Sequence, residues 1–162
     1  MRSRTAIWFE TKVSYEKSMD DEARKKVKEL YVVDALSFTE AERRITEEMT
    51  SSISGGFAVT DIRKAVYKEV FFSEDAKADR WYKAKLQFIT MDDKTEKEKR
   101  SNVYYLVHAS SLAGAIRNIE SIMGGTMVDY VIASVAETSV MDVYEYSGPK
   151  SADGDGKTVN NE

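Results

Sequence analysis

The side chains best suited to chemistry lie along two stretches in which aromatic and basic residues alternate with apolar ones. In one, Trp81, Lys83, Lys85 and Gln87 alternate with Tyr82, Ala84, Leu86 and Phe88. In the other, Trp8, Glu10, Lys12 and Ser14 alternate with Ile7, Phe9, Val13 and Tyr15. A period of two sends each set to its own face of a β-strand. Rings and cations on one sheet face can stack bases and follow a phosphate backbone. Lys97, Lys99 and Arg100, with Arg24, Lys25 and Lys26, stand at the hairpin turns and extend the basic track. The candidate nucleic-acid-binding set is therefore Trp81, Lys83, Lys85, Trp8, Lys12, Lys99 and Arg100. The competing reading makes the lysines ordinary exposed-strand residues and packs each Trp at a sheet edge. Open or covered indoles decide between the two.

Other chemistries find less material. With no cysteine there is no thiolate nucleophile, disulfide or cysteine metal site. The single histidine, His108, stands just before Ser110-Ser111 at a helix entry, where a polar strand-end residue explains it better than a general base. Asp92-Asp93 and Asp20-Asp21-Glu22 read as solvated turns, because neither has the alternating ligand spacing and closing Glu of a calcium loop. Gly55-Gly56 and Gly124-Gly125 follow helices and precede strands, the reverse of a phosphate cradle, so chain reversal accounts for them. Gly124-Gly125 also suits a left-handed helix stop. Nothing in the spacing promotes a pair of catalytic carboxylates. The expectation is a protein that is not an enzyme, with no cofactor and no metal.

The elements that carry these residues are written twice. Trp8 to Asp20 aligns with Trp81 to Asp93 at an offset of 73, pairing Trp8 with Trp81 and Lys12 with Lys85. One inserted residue shifts the offset to 74, and Arg24 to Met49 then matches Glu98 to Met123 at nine of 26 positions, including Tyr31/Tyr105, Ser37/Ser111, Ala41/Ala115, Ile45/Ile119 and Met49/Met123. Chance would supply about one or two matches at typical residue usage. Beyond a one-residue deletion, Phe57 to Phe71 matches Tyr130 to Tyr144 by class, as in Val59/Ile132, Ile62/Val135 and Val70/Val143. Duplication is the simplest account.

Each copy reads as strand, hairpin, strand, helix and long strand. In the first, strands around Ile7–Tyr15 and Val27–Ala35 precede Ser37-Phe38-Thr39-Glu40, a capping box. Ala41, Ile45 and Met49 then give the helix one apolar stripe at spacing four, and Phe57 to Phe72 forms a single long, bent strand. The second copy repeats this with Trp81–Thr90, Asn102–His108, a helix over about Leu112–Met123 and a long strand over Met127–Tyr146. The fold class is α+β: an internally duplicated strand-strand-helix-long strand unit, with mainly antiparallel sheet, two helices and pseudo-twofold symmetry. Whether the copies share one sheet or form two stays open. Residues 1–146 are one domain with repeat units at about 5–73 and 78–146. Residues 147–162, nearly devoid of apolar side chains, are a disordered tail.

The bulk composition agrees. At 162 residues, 42% hydrophobic and 32% charged, the chain can enclose a substantial core. A net charge of −4 gives no global attraction to nucleic acid or to anionic membranes, so any such binding needs a local patch. No run approaches the ~18 apolar residues of a membrane span, and a cytoplasmic location is expected.

The runs Trp8-Phe9-Glu10-Thr11-Lys12-Val13, Val33-Asp34-Ala35-Leu36-Ser37-Phe38-Thr39-Glu40-Ala41-Glu42, Asp79-Arg80-Trp81-Tyr82-Lys83 and Asp129-Tyr130-Val131-Ile132-Ala133-Ser134-Val135 together resemble an uncharacterised domain-of-unknown-function family of Bacteroidota and their bacteriophages. The resemblance covers about residues 5–146 and implies a phage or mobile-element setting. It brings no activity and no catalytic residues.

Three functions compete on these grounds. The first is a non-enzymatic binding protein whose partner is single-stranded nucleic acid or its protein machinery. The second is a module that sequesters or senses a small ligand in a groove. The third is an assembly module that uses the edges of the long strands, homo-oligomers included.

Overall fold

The computed structural model describes residues 1–18 and 23–146. The expected tail at 147–162 and the acidic turn Asp20-Asp21-Glu22 lie outside the described residues. The elements run β1 (Arg2–Thr5), β2 (Trp8–Ser18), β3 (Arg24–Asp34), α1 (Phe38–Ser52), β4 (Phe57–Lys64), β5 (Glu69–Phe72), β6 (Arg80–Met91), β7 (Glu98–Ala109), α2 (Leu112–Gly124), β8 (Tyr130–Glu137) and β9 (Val140–Tyr144). The fold is α+β, as the alternating strands and single-striped helices require. Lys99 and Arg100, expected in a turn, belong to β7.

The strands form two sheets, ordered β1-β5-β7-β6-β8 and β4-β2-β3-β9. Both are mostly antiparallel, with one parallel junction each, β5 on β7 and β9 on β3. The chain divides into two compact units. One holds Met1–Ala6 and Val66–Ser139, and the other holds Ile7–Ala65 and the described residues from Val140 to Tyr146.

Internal registers repeat from one unit to the other. Phe9 faces Val33 as Tyr82 faces Val107, and Val13 faces Val59 as Leu86 faces Ile132. Each sheet has an irregularity at the same place, between Lys12 and Val13 and between Lys85 and Leu86. The units do not coincide with the sequence repeats, however. The last strand of the first repeat, β5, pairs in the sheet of the second, and β9 of the second pairs in the sheet of the first.

The single long strand expected over Phe57–Phe72 is therefore two strands in different sheets, and so is Met127–Tyr146. Hydrogen bonding supplies the reason. The Ala65 amide donates to the Trp8 carbonyl (2.8 Å) and the Thr138 amide to the Trp81 carbonyl (2.8 Å). Trp8 opens β2, and Trp81 lies one residue inside the start of β6. Beyond these bonds the chain pairs its backbone in the other sheet, β5 with β1 and β7, and β9 with β3.

Each helix packs its stripe on its own sheet. Ala41, Ile45 and Met49 are buried with Phe9, Val13, Tyr31 and Val33, and Ala115, Ile119 and Met123 with Tyr82, Ala84, Leu86 and Val107. Each large apolar side chain so buried contributes about 1.5–3 kcal/mol. Ser37 and Ser111 cap the helices by accepting from the Glu40 and Gly114 amides at 3.1 and 3.0 Å. The Glu40 carboxylate also turns to Arg44 at 2.7 Å. Gly125 ends α2 at φ −83°, so the expected left-handed stop is not used there.

Candidate ligand-binding site

In the unit of Ile7–Ala65, the far end of the β2–β3 hairpin and the α1–β4 connection enclose an open cleft of about 540 Å³. Register and alternation explain its lining. Ser14, Glu16 and Ser18 on β2 pair with Lys28, Lys26 and Arg24 on β3, which brings these short and charged side chains to one face. Ala58 on β4 pairs with Ser14 and joins them. Gly55 and Gly56 form the other wall. Gly55 adopts φ +108°, a conformation that side chains resist, and neither glycine carries a side chain to fill the space beyond it.

Three features make this cleft chemically suggestive. The Ser14 hydroxyl is buried, with the residue 5% exposed, and has no hydrogen-bond partner among the described residues. A buried hydroxyl left unpaired costs about 1–3 kcal/mol. Second, Arg24 and Lys26 outnumber the one acid in the wall, Glu16, which lies 3.6 Å from Arg24. Third, Tyr15 and Phe57 add aromatic surface. Burial, and then the hydrogen bond and charge of Glu29, hold the Tyr15 phenol above its ordinary value.

The nucleic-acid set is not assembled as the sequence suggests. Trp8 is 1% and Trp81 3% exposed, so neither indole is open to stack a base. The Trp81 ring lies parallel to the His108 imidazole at 4.3 Å and meets Phe72 edge-on at 5.6 Å. The apolar faces of two large rings found partners within the fold, as burial of aromatic surface favours. His108 is thereby a packing residue.

The cations stay outside but apart. Lys83 is exposed, with its Nζ 5.1 Å from the Tyr104 ring, and Lys85 is half-buried. Lys99 is exposed, and Arg100 pairs with Glu98 at 3.0 Å. Arg100 sits opposite Ile89, eight residues along β6 from Trp81, or about 26 Å at strand rise. Trp8 and Lys12 belong to the other unit, where Lys12 lines a recess of about 160 Å³ with Glu10, Leu30, Asp61 and Arg63. Arg24 and Lys26, noticed in the sequence only as hairpin cations, are the ones that meet a cleft. Ser14, Tyr15, Phe57 and the glycine pair were missed as a site. The available signal was the departure of the first copy from the second, with Ser14 for Gln87 and Gly55-Gly56 for Val128-Asp129.

Fold and cleft together define a two-unit α+β protein with an open polar site at one hairpin end. The chain belongs to the family described as a domain of unknown function (DUF4494), whose model matches residues 7–146. No curated protein and no solved structure matches it. Among the described residues, no helix is long and apolar enough to cross a membrane.

Proposed function

We propose that this protein is a non-enzymatic binding protein, and that its ligand is a small anion with an apolar part held in the hairpin-end cleft. The observation that carries this reading is the Ser14 hydroxyl, buried without a partner among the described residues in a wall that also holds Arg24 and Lys26. An incoming acceptor would relieve the hydroxyl's desolvation, the cations would balance its charge, and Tyr15 and Phe57 would take the apolar part. The resemblance to a family of Bacteroidota and their phages supports a phage or mobile-element setting inside the cell.

Titration calorimetry with phenyl phosphate, which joins an anion to a ring, tests the proposal. Wild-type protein is expected to bind it better than inorganic phosphate. Ser14→Ala should weaken binding while leaving the fold no less stable, because the variant removes an unsatisfied group. Equal affinity in the variant refutes the assignment. Single-stranded nucleic acid is the second reading, supported by the exposed cations Lys12, Lys83, Lys99 and Arg100. Oligonucleotide binding with a steep salt slope that Lys99→Ala flattens would favour it.

A further inference from the structure

The hairpin-end cleft is larger and more varied than a simple anion needs, and its acid is out of place for one. An open space of about 540 Å³ has the size of sites that take drug-sized ligands. A phosphate group at Ser14, Arg24 and Lys26 would leave most of it empty. Among the described lining residues Glu16 is the only carboxylate, 3.6 Å from Arg24, and its charge opposes any bare anion. The fold does not call for it. Both partners of the ion pair are exposed, so it contributes little to stability. The matching hairpin of the other unit forms with Ile89 and Glu98 at the equivalent positions.

We infer that the ligand of this cleft is a ribonucleoside monophosphate, which rests on the anion-binding reading of the same site and names the rest of the molecule. Each part of the ligand meets a matching group. The phosphate accepts from the buried Ser14 hydroxyl and is balanced by Arg24 and Lys26. The ribose hydroxyls donate to the Glu16 carboxylate, which turns from an opponent of the ligand into an acceptor for it. Because Glu16 and Arg24 are neighbours, the ligand must carry donors close to its anionic group, as a sugar phosphate does. Exposed Ser18 and Ser54 add hydroxyls to the same wall. The base lies against Tyr15 and Phe57, which are half-buried on the α1 core and still line the cleft, and aromatic surface stacks any base. Gly55 and Gly56 leave room for a flat ring, since nothing stands within 4 Å of where a Cβ would be at either.

Phenyl phosphate shares the phosphate and the ring but has no hydroxyl donors, and that difference supplies the test. Titration calorimetry on the full chain compares adenosine monophosphate, its dideoxyribose analogue and phenyl phosphate. Wild-type protein is expected to bind the ribonucleotide about tenfold more tightly than the dideoxy form, the gain from hydrogen bonds to a charged acceptor. Glu16→Ala should erase that preference and at the same time tighten phenyl phosphate, because the charge that repels an anion is gone. A merely structural role for Glu16 would not move the two ligands in opposite directions. Equal binding of the ribose and dideoxyribose forms, or a Glu16→Ala variant that weakens all three ligands alike, overturns the inference. Phenyl phosphate bound through Ser14 with no binding of the nucleotide overturns the inference alone, and binding of neither overturns the anion reading with it. A short RNA with a terminal phosphate that competes as well as the free nucleotide would assign the same chemistry to a strand end. A free nucleotide that outcompetes it would assign the chemistry to the small molecule, and both results uphold the ribonucleoside monophosphate.

Discussion

The two units share their strand registers and helix stripes but fill their ends in opposite ways. At the helix-start end of the unit of Ile7–Ala65, Asp34 is 1% exposed and lies 3.5 Å from Arg44, which reaches Glu40 at 2.7 Å and stands over the Tyr146 ring at 4.8 Å. The Tyr146 amide donates to Asp34 at 2.7 Å and its hydroxyl to the Arg44 carbonyl at 3.0 Å. In the other unit the equivalents are His108, Asn118, Gly114 and Ser73. There the Asn118 amide repeats part of the pattern, donating to the His108 carbonyl at 3.1 Å, and a cavity of about 200 Å³ remains.

At the hairpin end the roles reverse. The unit of Val66–Ser139 is filled by Gln87, which donates to Asn102 at 3.2 Å and accepts from Arg100 at 3.3 Å. Backbone closes it further, the Ile89 amide donating to the Asp129 carbonyl at 2.9 Å. There the other unit has Ser14, Gly55 and Gly56, and the larger cleft. The backbone plan sets where an opening can lie, and a handful of side chains decides which unit keeps it.

The largest expected effect lies in the equivalent cores. Ile45 and Ile119 are 0% and 1% exposed at matching helix positions. Ile45→Asp and Ile119→Asp should each cost on the order of 4 kcal/mol or more by burying an unpaired carboxylate. Thermal melts check this, and tolerance of either variant at an unchanged Tm would show that the repeat does not extend to packing.

The unlike ends give a smaller effect. Arg44→Ala takes the paired cation from the buried Asp34 carboxylate and should cost about 3 kcal/mol. Asn118→Ala removes one hydrogen bond and should cost about 1 kcal/mol. Urea titrations that rank the two variants equally would remove the distinction.

The units should also part in alkali. Burial foremost, with Glu29 second, raises the Tyr31 phenol; burial foremost, with Glu48 second, raises Tyr146; burial and then Asp142 push Tyr144 up to about 12. Tyr15 is raised as well, all four in one unit, against Tyr105 in the other, which burial and then Glu69 raise. A phenol whose folded value lies above its ordinary 10 favours the folded state below pH 10, and that favour is lost as pH climbs through the folded value. Trp8, alone in Trp81→Phe protein, should therefore report unfolding at lower alkaline pH than Trp81 alone in Trp8→Phe protein. Coincident transitions would contradict the asymmetry.

Much of the fold was legible because it rests on local signals. Alternation marks β2 and β6, the Ser37 and Ser111 caps mark the helix starts, and spacing four marks Ile45 and Ile119 as core. The exchange of β5 and β9 was not legible, since Phe57–Phe72 carries the same β-branched and aromatic residues on both sides of its break, and partner choice is set by backbone hydrogen bonds at Trp8 and Trp81. β1 escaped notice because Arg-Ser-Arg-Thr has no apolar member and becomes a strand only through β5. The site was half legible. Charge drew attention to Arg24 and Lys26, but alternation alone sets Trp81 and Lys83 on one face without telling which is covered.

Amide shift mapping during a phenyl phosphate titration tests most directly that the hairpin-end cleft is the ligand site in one unit alone. Shifts are predicted in residues 14–18, 24–26 and 54–60, with the matching residues 87–91, 98–100 and 127–133 unmoved. Shifts spread equally over both sets, or absent from the first, would contradict it.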